Sequence, residues 1–278
     1  MKITVLGSGT SHGIPVIGCH CRVCASDDSR DKRLRASLYI EGESGEAVVI
    51  DTGPDFRLQA LQAGIEKLDA IFLTHDHADH LHGLDDVRTL SQNKPLPVYG
   101  NDKTIAELRE RFSYIFKETQ QGGGKPRIIP QALSGPIQIG GLSLSPLPVL
   151  HGTLEILGWK VQQASAGHGR APDPPALVYL TDTSAIPEGT WPLIGQPEIL
   201  IIDGLRLRPH VTHFSIPEAL DAAVKTGARR TYLTHICHDL SHAEIEEYCC
   251  SYRKEHHLEA MVMEPAYDGL QMEIGPYT

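Results

Sequence analysis

Thr74-His75-Asp76-His77-Ala78-Asp79-His80 follows without a break on the apolar run Ile71-Phe72-Leu73. The run reads as a strand, so the polar cluster sits where backbone pairing stops, the usual place for a site on a rigid scaffold. Imidazole and carboxylate together suit a divalent ion of zinc, manganese or iron. Alternating ligands on so tight a loop can direct His75 and His77 to one ion and Asp79 and His80 to a second. The competing reading is a solvated, acidic, His-rich turn that binds nothing.

Three later segments weigh against that turn, because each ends a strand-like run with a ligand residue: Val149-Leu150-His151, Tyr179-Leu180-Thr181-Asp182 and Tyr232-Leu233-Thr234-His235. Alone, any of them is an ordinary turn residue; together they supply enough ligands for two ions. Further apolar runs punctuated by Gly, Pro and Asp predict strands at Ile3–Leu6, Ser37–Ile40, Ala47–Ile50, Leu96–Tyr99, Ile137–Leu144, Ile156–Val161, Leu177–Leu180, Ile199–Ile202, Ala260–Glu264 and Gly269–Ile274. Helical patterns fall at Pro54–Ala63, Leu84–Ser91, Lys103–Phe116, Pro217–Thr226 and Ala243–His256. Strands throughout, with helices interspersed, predict an αββα sandwich: two β-sheets face to face with helices outside, formed as one domain over residues 1–278. The segments Gln121–Pro126 and Gln163–Pro175 read as surface loops.

The 278 residues are 41% hydrophobic and 22% charged, enough for a sizeable core and without a disorder-like bias. No apolar run approaches a membrane span and no signal peptide is visible, so a cytoplasmic location with no membrane partner is expected. The net charge of -10 argues against a long nucleic acid as partner. Three of the six cysteines fall in Cys19-His20-Cys21-Arg22-Val23-Cys24, a spacing suited to a metal and not to a disulfide framework. Cys249 and Cys250 read as helix-face residues.

With Asp51, the His75–His80 loop, His151, Asp182 and His235 in this order, the chain resembles the metallo-β-lactamase superfamily nearly end to end, and its fold is expected to be that family's, with two mixed sheets. The resemblance implies that His75, His77 and His151 hold one ion, that Asp79, His80 and His235 hold the other, and that Asp182 bridges them. Asp51 resembles the family's buried acid, which hydrogen-bonds around the first loop without binding metal. Within the superfamily the sequence is similar to the PhnP group of cyclic phosphodiesterases, on Gly7-Ser8-Gly9, the Cys19, Cys21, Cys24 loop, and His238 three residues beyond the last ligand. Those three cysteines and His238 are expected to form a closed tetrahedral zinc site. The segment His210-Val211-Thr212-His213 resembles the stretch where this group and the transfer-RNA 3′ nucleases carry a catalytic histidine. His213 matches the position, with His210 one step away as the alternative proton donor.

Two divalent ions can share a hydroxide and stabilise both oxygens of an in-line displacement. The expectation is therefore a phosphoric diester hydrolase using manganese, zinc or iron on a small phosphodiester, with Asp79, Asp182 and His213 as the catalytic side chains. A cyclic one is favoured, although a cyclic sugar phosphate, a cyclic nucleotide and a small linear diester all fit the same ligands. An RNase Z-like nuclease is the rival, weakened because only Gln163–Pro175 is available for that group's long arm between the equivalents of His151 and Asp182. A non-catalytic metal carrier is the second rival. A lactamase ranks low, since that branch has cysteine where this chain has Asp182. The sequence leaves a homodimer open. Arg30, Lys32, Arg33 and Arg35 read as a solvated basic run, with Arg206 and Arg208 equally ambiguous. His12, His20, His82, His168, His242, His256 and His257 read as surface or structural residues, and Tyr267-Asp268-Gly269 as a hairpin turn.

Overall fold

In the first half of the chain, strands β1 (Lys2–Gly7), β2 (Ser37–Glu41), β3 (Ala47–Ile50), β4 (Ala70–Phe72), β5 (Leu96–Gly100) and β6 (Ile128–Ala132) alternate with helices α1 (Phe56–Ala63), α2 (Ala78–Leu81), α3 (Asp102–Arg111) and α4 (Ser113–Phe116). The second half carries β7 (Ile137–Ile139), β8 (Leu142–His151), β9 (Leu154–Gln163), β10 (Ala176–Leu180), β11 (Ile199–Asp203), β12 (Arg230–Thr234), β13 (Val262–Pro265) and β14 (Gln271–Glu273). Its helices are α5 (Trp191–Ile194), α6 (Ile216–Thr226) and α7 (His242–Glu255). This computed structural model describes residues 1–118, 124–163 and 176–275. Gln121–Gly123, His168 and the loop from Ala164 to Pro175 lie outside them.

Two seven-stranded sheets result, ordered β14-β1-β2-β3-β4-β5-β6 and β13-β12-β11-β10-β9-β8-β7. Both are mixed. β3, β4, β5 and β6 run parallel, as do β10, β11, β12 and β13, while the remaining pairs are antiparallel. The period-two alternation of β11 shows how the layers are specified. Ile199 and Ile201 enter the core between the sheets, with Ile3, Ile40, Ile50, Phe72, Trp159 and Tyr179, whereas Leu200 and Ile202 face outward onto Leu220 and Ala223 of α6 and Ile245 of α7. A third cluster seats Phe56 and Leu108, from α1 and α3, on the outer face of the first sheet. The architecture is therefore αββα.

Several boundaries differ from the sequence reading. Ile137–Leu144 is not one strand: Gly140, at φ +56°, turns the chain between β7 and β8, and β8 then continues to His151. Strand β6 was not foreseen, and Pro130 within it is tolerated because the strand lies at the sheet edge. Lys103–Phe116 is two helices broken at Phe112, and Leu84–Ser91 contains only a 3-10 segment, Leu84–Arg88.

The arginine run is not a solvated face. Arg33 is completely buried, paired with Asp31 at 3.2 Å and donating to the carbonyls of Cys237 and Leu240. Arg30 binds Asp28, and Arg35 binds Asp55. Asp268 likewise does more than turn a hairpin. Its carboxyl accepts from Ser8 N and Oγ and from Leu34 N, tying the carboxy-terminal segment to the loop after β1, and burial pushes its pKa up to about 6. Among the described residues no helix is long and apolar enough to cross a membrane.

Candidate metal centre

Parallel strands of a sheet end at one edge, and groups placed just past their carboxyl ends converge there. Here β3 leads into Asp51, β4 into His75, β10 into Asp182, β11 ends at Asp203, and β12 leads into His235. The antiparallel β8 adds His151 at its own end. Asp51, Asp182 and His235 are held at φ 64°, 53° and 55°, a left-handed conformation that non-glycine residues seldom adopt and that costs of order 1–3 kcal/mol each. Among the described residues His257 alone shares it.

The ligand atoms fall into two groups. His75, His77 and His151 form one, and Asp79, His80, Asp182 and His235 the other, each with all its atoms within 4.8 Å of one another. The rings of His75 and His80, one from each group, have centroids 4.3 Å apart. Asp182 faces two partners with two oxygens: Oδ2 is 3.0 Å from His80 Nε2, and Oδ1 is 3.2 Å from His235 Nε2. It also lies within reach of His151.

Whether these residues suit a metal is decided at the imidazole nitrogens. His75 Nε2, His80 Nε2 and His235 Nε2 are buried and have no hydrogen-bond partner, although His80 and His235 stand beside carboxylate oxygens. The distances are short but the directions are wrong for N–H···O bonds, as expected of donor atoms aimed at a common point between them. The opposite ring nitrogens fix the tautomers. His151 Nδ1 donates to the carbonyl of Thr212 at 2.8 Å. The Thr74 hydroxyl gives its one proton to Asp51, so it accepts from His75 Nδ1 at 2.9 Å, and His80 Nδ1 donates to Asp51 at 2.7 Å. In each case Nε2 is left with a free lone pair facing the cluster, the arrangement by which outer hydrogen bonds orient metal-binding histidines. Asp51 thus serves the first loop from behind, accepting from Thr74 N as well.

Burial opposes charge throughout this site, yet the groups compensate. Burial resists ionisation of Asp182, but His235 and His80 hold its carboxyl well below the ordinary carboxylate range. Burial likewise opposes a charged His235, but Asp182 and Asp79 raise its pKa to about 9. A divalent ion bound here would therefore compete with protons for the same nitrogens.

His213 lies over the cluster. Its ring stacks on that of His235 at 4.7 Å and 14° and meets His151 edge-on at 4.8 Å. Its Nδ1 is 2.7 Å from Asp203 Oδ2. Burial lowers the His213 pKa to about 4 and pushes Asp203 well above the carboxylate range. His210 sits one ring further out, 5.2 Å from His213, and its Nδ1 is occupied by Thr212. Asp203 was missed in the sequence, though it ends the run Ile199–Ile202 just as the other site residues end theirs.

A second cluster joins Cys19, Cys21 and Cys24 to His238. Their sulfurs lie 3.4, 3.5 and 3.4 Å from His238 Nδ1. With Zn–S near 2.3 Å and Zn–N near 2.0 Å, the sulfur–nitrogen edge of a zinc tetrahedron is about 3.5 Å. The set fits a zinc ion. Arg33 grips the carbonyls of Cys237 and Leu240 on either side of His238, and Ile236 N donates to Ser8, so the cluster and the His235 loop share one support.

Residues 46–236 match the family model described as the beta-lactamase superfamily domain. Together with the fold and the ligand pattern, this places the chain in the metallo-β-lactamase superfamily of metal-dependent hydrolases. Within it the chain is PhnP-like. A solved structure of a diphosphatase from the PhnP family is 38% identical, covers 99% of this chain and 98% of its own, and superposes with a TM-score of 0.82. A Porphyromonas gingivalis protein named octanoyltransferase is 37% identical over 275 residues, 98% of this chain but 51% of that protein. The chain spans about half of that relative's length. Zinc-bound PqqB from Methylobacterium extorquens shares the fold, at 19% identity and a TM-score of 0.76.

Proposed function

We propose that this chain is a dinuclear metal-dependent phosphodiesterase acting on a small, cyclic phosphodiester. The observation that carries the reading is the meeting of two ligand groups at Asp182, with buried imidazole nitrogens on both sides of its carboxylate and no hydrogen bonds to satisfy them. His75, His77 and His151 would hold one ion, Asp79, His80 and His235 the other, and Asp182 would bridge. Manganese, zinc and iron all accept this mixture of ligands. When bound, such a pair activates water and neutralises charge on a phosphoryl group.

The chain's own residues supply the rest. Asp51 and Thr74 hold the His75 and His80 rings at the required tautomers, and Thr212 does so for His151. His213, whose Nε2 has no partner among the described residues, gives its proton to the leaving oxygen. The PhnP-family relative is named a diphosphatase, which supports a phosphoryl substrate. Cys19, Cys21, Cys24 and His238 would hold a structural zinc, which would fix the loop following His235.

The test is hydrolysis by metal-replete protein. Bis(p-nitrophenyl) phosphate, 2′,3′-cyclic nucleotides and cyclic sugar phosphates are assayed beside a transfer-RNA precursor and a chromogenic cephalosporin. Cleavage of the small diesters, abolished by chelator and restored by manganese or zinc, is expected. Silence on every diester with full metal content would leave a metal carrier, and preference for the precursor a nuclease.

A further inference from the structure

We infer that Arg111 is a positioning residue for His77, pinning the peptide unit between Asp76 and His77 so that the imidazole is presented to His75 and His151. The inference rests on the reading of these three histidines as one ligand group and adds the residue that holds its least supported member. Outer hydrogen bonds orient the other two rings, His75 through the Thr74 hydroxyl and His151 through Thr212 O. The His77 ring has no hydrogen-bond partner among the described residues; it meets the rings of His75 and His151 at 4.5 and 5.2 Å. It is also less buried than His75. Its placement therefore depends on its backbone.

That backbone is held on both sides. Downstream, His77 O accepts from His80 N at 3.1 Å where α2 begins. Upstream, Arg111 NH1 donates to Asp76 O, the carbonyl of the peptide unit that contains His77 N, and NH2 donates to Asp76 Oδ2 at 3.1 Å. Asp76 is only 6% exposed, so water competes little for these charge-assisted bonds. The carboxylate alone would satisfy an ion pair. The bond to the carbonyl is the one that reaches His77.

Arg111 is itself fixed. It closes α3, whose Ile105 and Leu108 are buried and whose Arg109 donates to Pro130 O of β6 at 3.2 Å. One turn back, Glu107 Oε2 accepts from Arg111 Nε and NH2 at 3.2 and 3.1 Å, which sets the plane of the guanidinium and leaves NH1 aimed at Asp76 O. A helix seated on the first sheet thus reaches across to the loop that carries the histidines. With this grip removed, the Asp76–His77 peptide would have to be ordered by the ion itself, and that ordering costs affinity.

The experiment measures zinc binding by calorimetric titration of protein whose thiol site is already filled, and needs no turnover. His77→Ala and His235→Ala identify which binding step belongs to which ligand group. In Arg111→Met the step lost in His77→Ala should weaken by roughly 10- to 100-fold, and the step lost in His235→Ala by less than about threefold. Arg111→Lys should recover part of the loss, since an ammonium can still donate to Asp76 O. Because Arg111→Met leaves a buried carboxylate unpaired and could fail to fold, the pair Arg111→Met with Asp76→Asn removes that charge and should show the same selective loss. Equal weakening of both steps, as a merely structural role would give, overturns the inference, and so does an unchanged His77-dependent step in the double variant. Selective loss in a protein that cleaves no diester would sink the catalytic reading while supporting this one.

Discussion

Replacing Arg33 with methionine tests how the thiol cluster and the His235 loop are held together. The guanidinium is fully buried, 3.2 Å from Asp31, and it donates to Cys237 O at 2.6 Å and to Leu240 O at 3.2 Å. Burial lowers its pKa, partly offset by the charge of Asp31, which also accepts from His242 N. Removing one member of such a pair leaves a buried, uncompensated carboxylate and two carbonyls without their donor, at a cost of about 3–5 kcal/mol. For a chain of this size about 2–4 °C of Tm accompanies each kcal/mol, so Arg33→Met should lower Tm by roughly 6–20 °C. Because the freed carbonyls flank His238, thiol-bound zinc should dissociate more readily as well. Differential scanning calorimetry and zinc release to a colorimetric chelator measure the two effects. Adding Asp31→Leu should recover part of the lost stability, since an apolar pair is less costly than a lone buried charge. A Tm within about 2 °C of wild type for Arg33→Met would refute the claim that this arginine supports the loop.

Asp182→Ala should bind fewer ions in the catalytic cluster and lose diester turnover while keeping its fold; near wild-type turnover in a metal-replete variant would contradict the bridging assignment. His213→Ala should keep its metals and lose about 10²- to 10⁴-fold on substrates with poor leaving groups, and less on nitrophenyl esters. Cys21→Ser should release one zinc per chain and lower Tm, whereas free reaction of Cys19, Cys21 and Cys24 with a thiol reagent in the folded protein would exclude a structural ion. Metal affinity should depend on pH with a definite sign. In the metal-free protein His235 is raised to about 9 and His80 is also raised, burial notwithstanding, because Asp182 and Asp79 favour their protonated forms. Binding must displace those protons, so affinity should rise with pH up to about 9 and fall towards acid, with protons released on titration by calorimetry in two buffers. Affinity independent of pH between 6 and 9 would contradict this competition.

The fold was legible because β3, β4, β10 and β11 are short, wholly buried runs, and β12 is buried beyond Arg230, and all of them end abruptly on polar residues. The same abrupt ends exposed His75, Asp182 and His235, since a ligand directly after an apolar strand leaves a local signal. Asp203 has the same signal but no neighbouring ligand motif, and its partner His213 lies ten residues away across an irregular loop. Arg33 and Asp268 were harder still, because their partners at Cys237, Leu240, Ser8 and Leu34 are remote in the chain. A charged residue in a polar stretch is ordinarily solvated, and only the tertiary fold shows that these two are not. The break at Phe112 and the edge strand β6 escaped for another reason: propensity varies too little along those segments to mark a boundary.

Whether the two ligand groups work as one centre is decided by titrating metal into apo protein whose thiol site has first been filled with zinc, following cleavage of a small phosphodiester at each addition. Activity should reach its plateau only when both ligand groups of the remaining cluster are filled, and Asp182→Ala should never reach it. Protein with both groups occupied that leaves every small phosphodiester intact would contradict the proposed function.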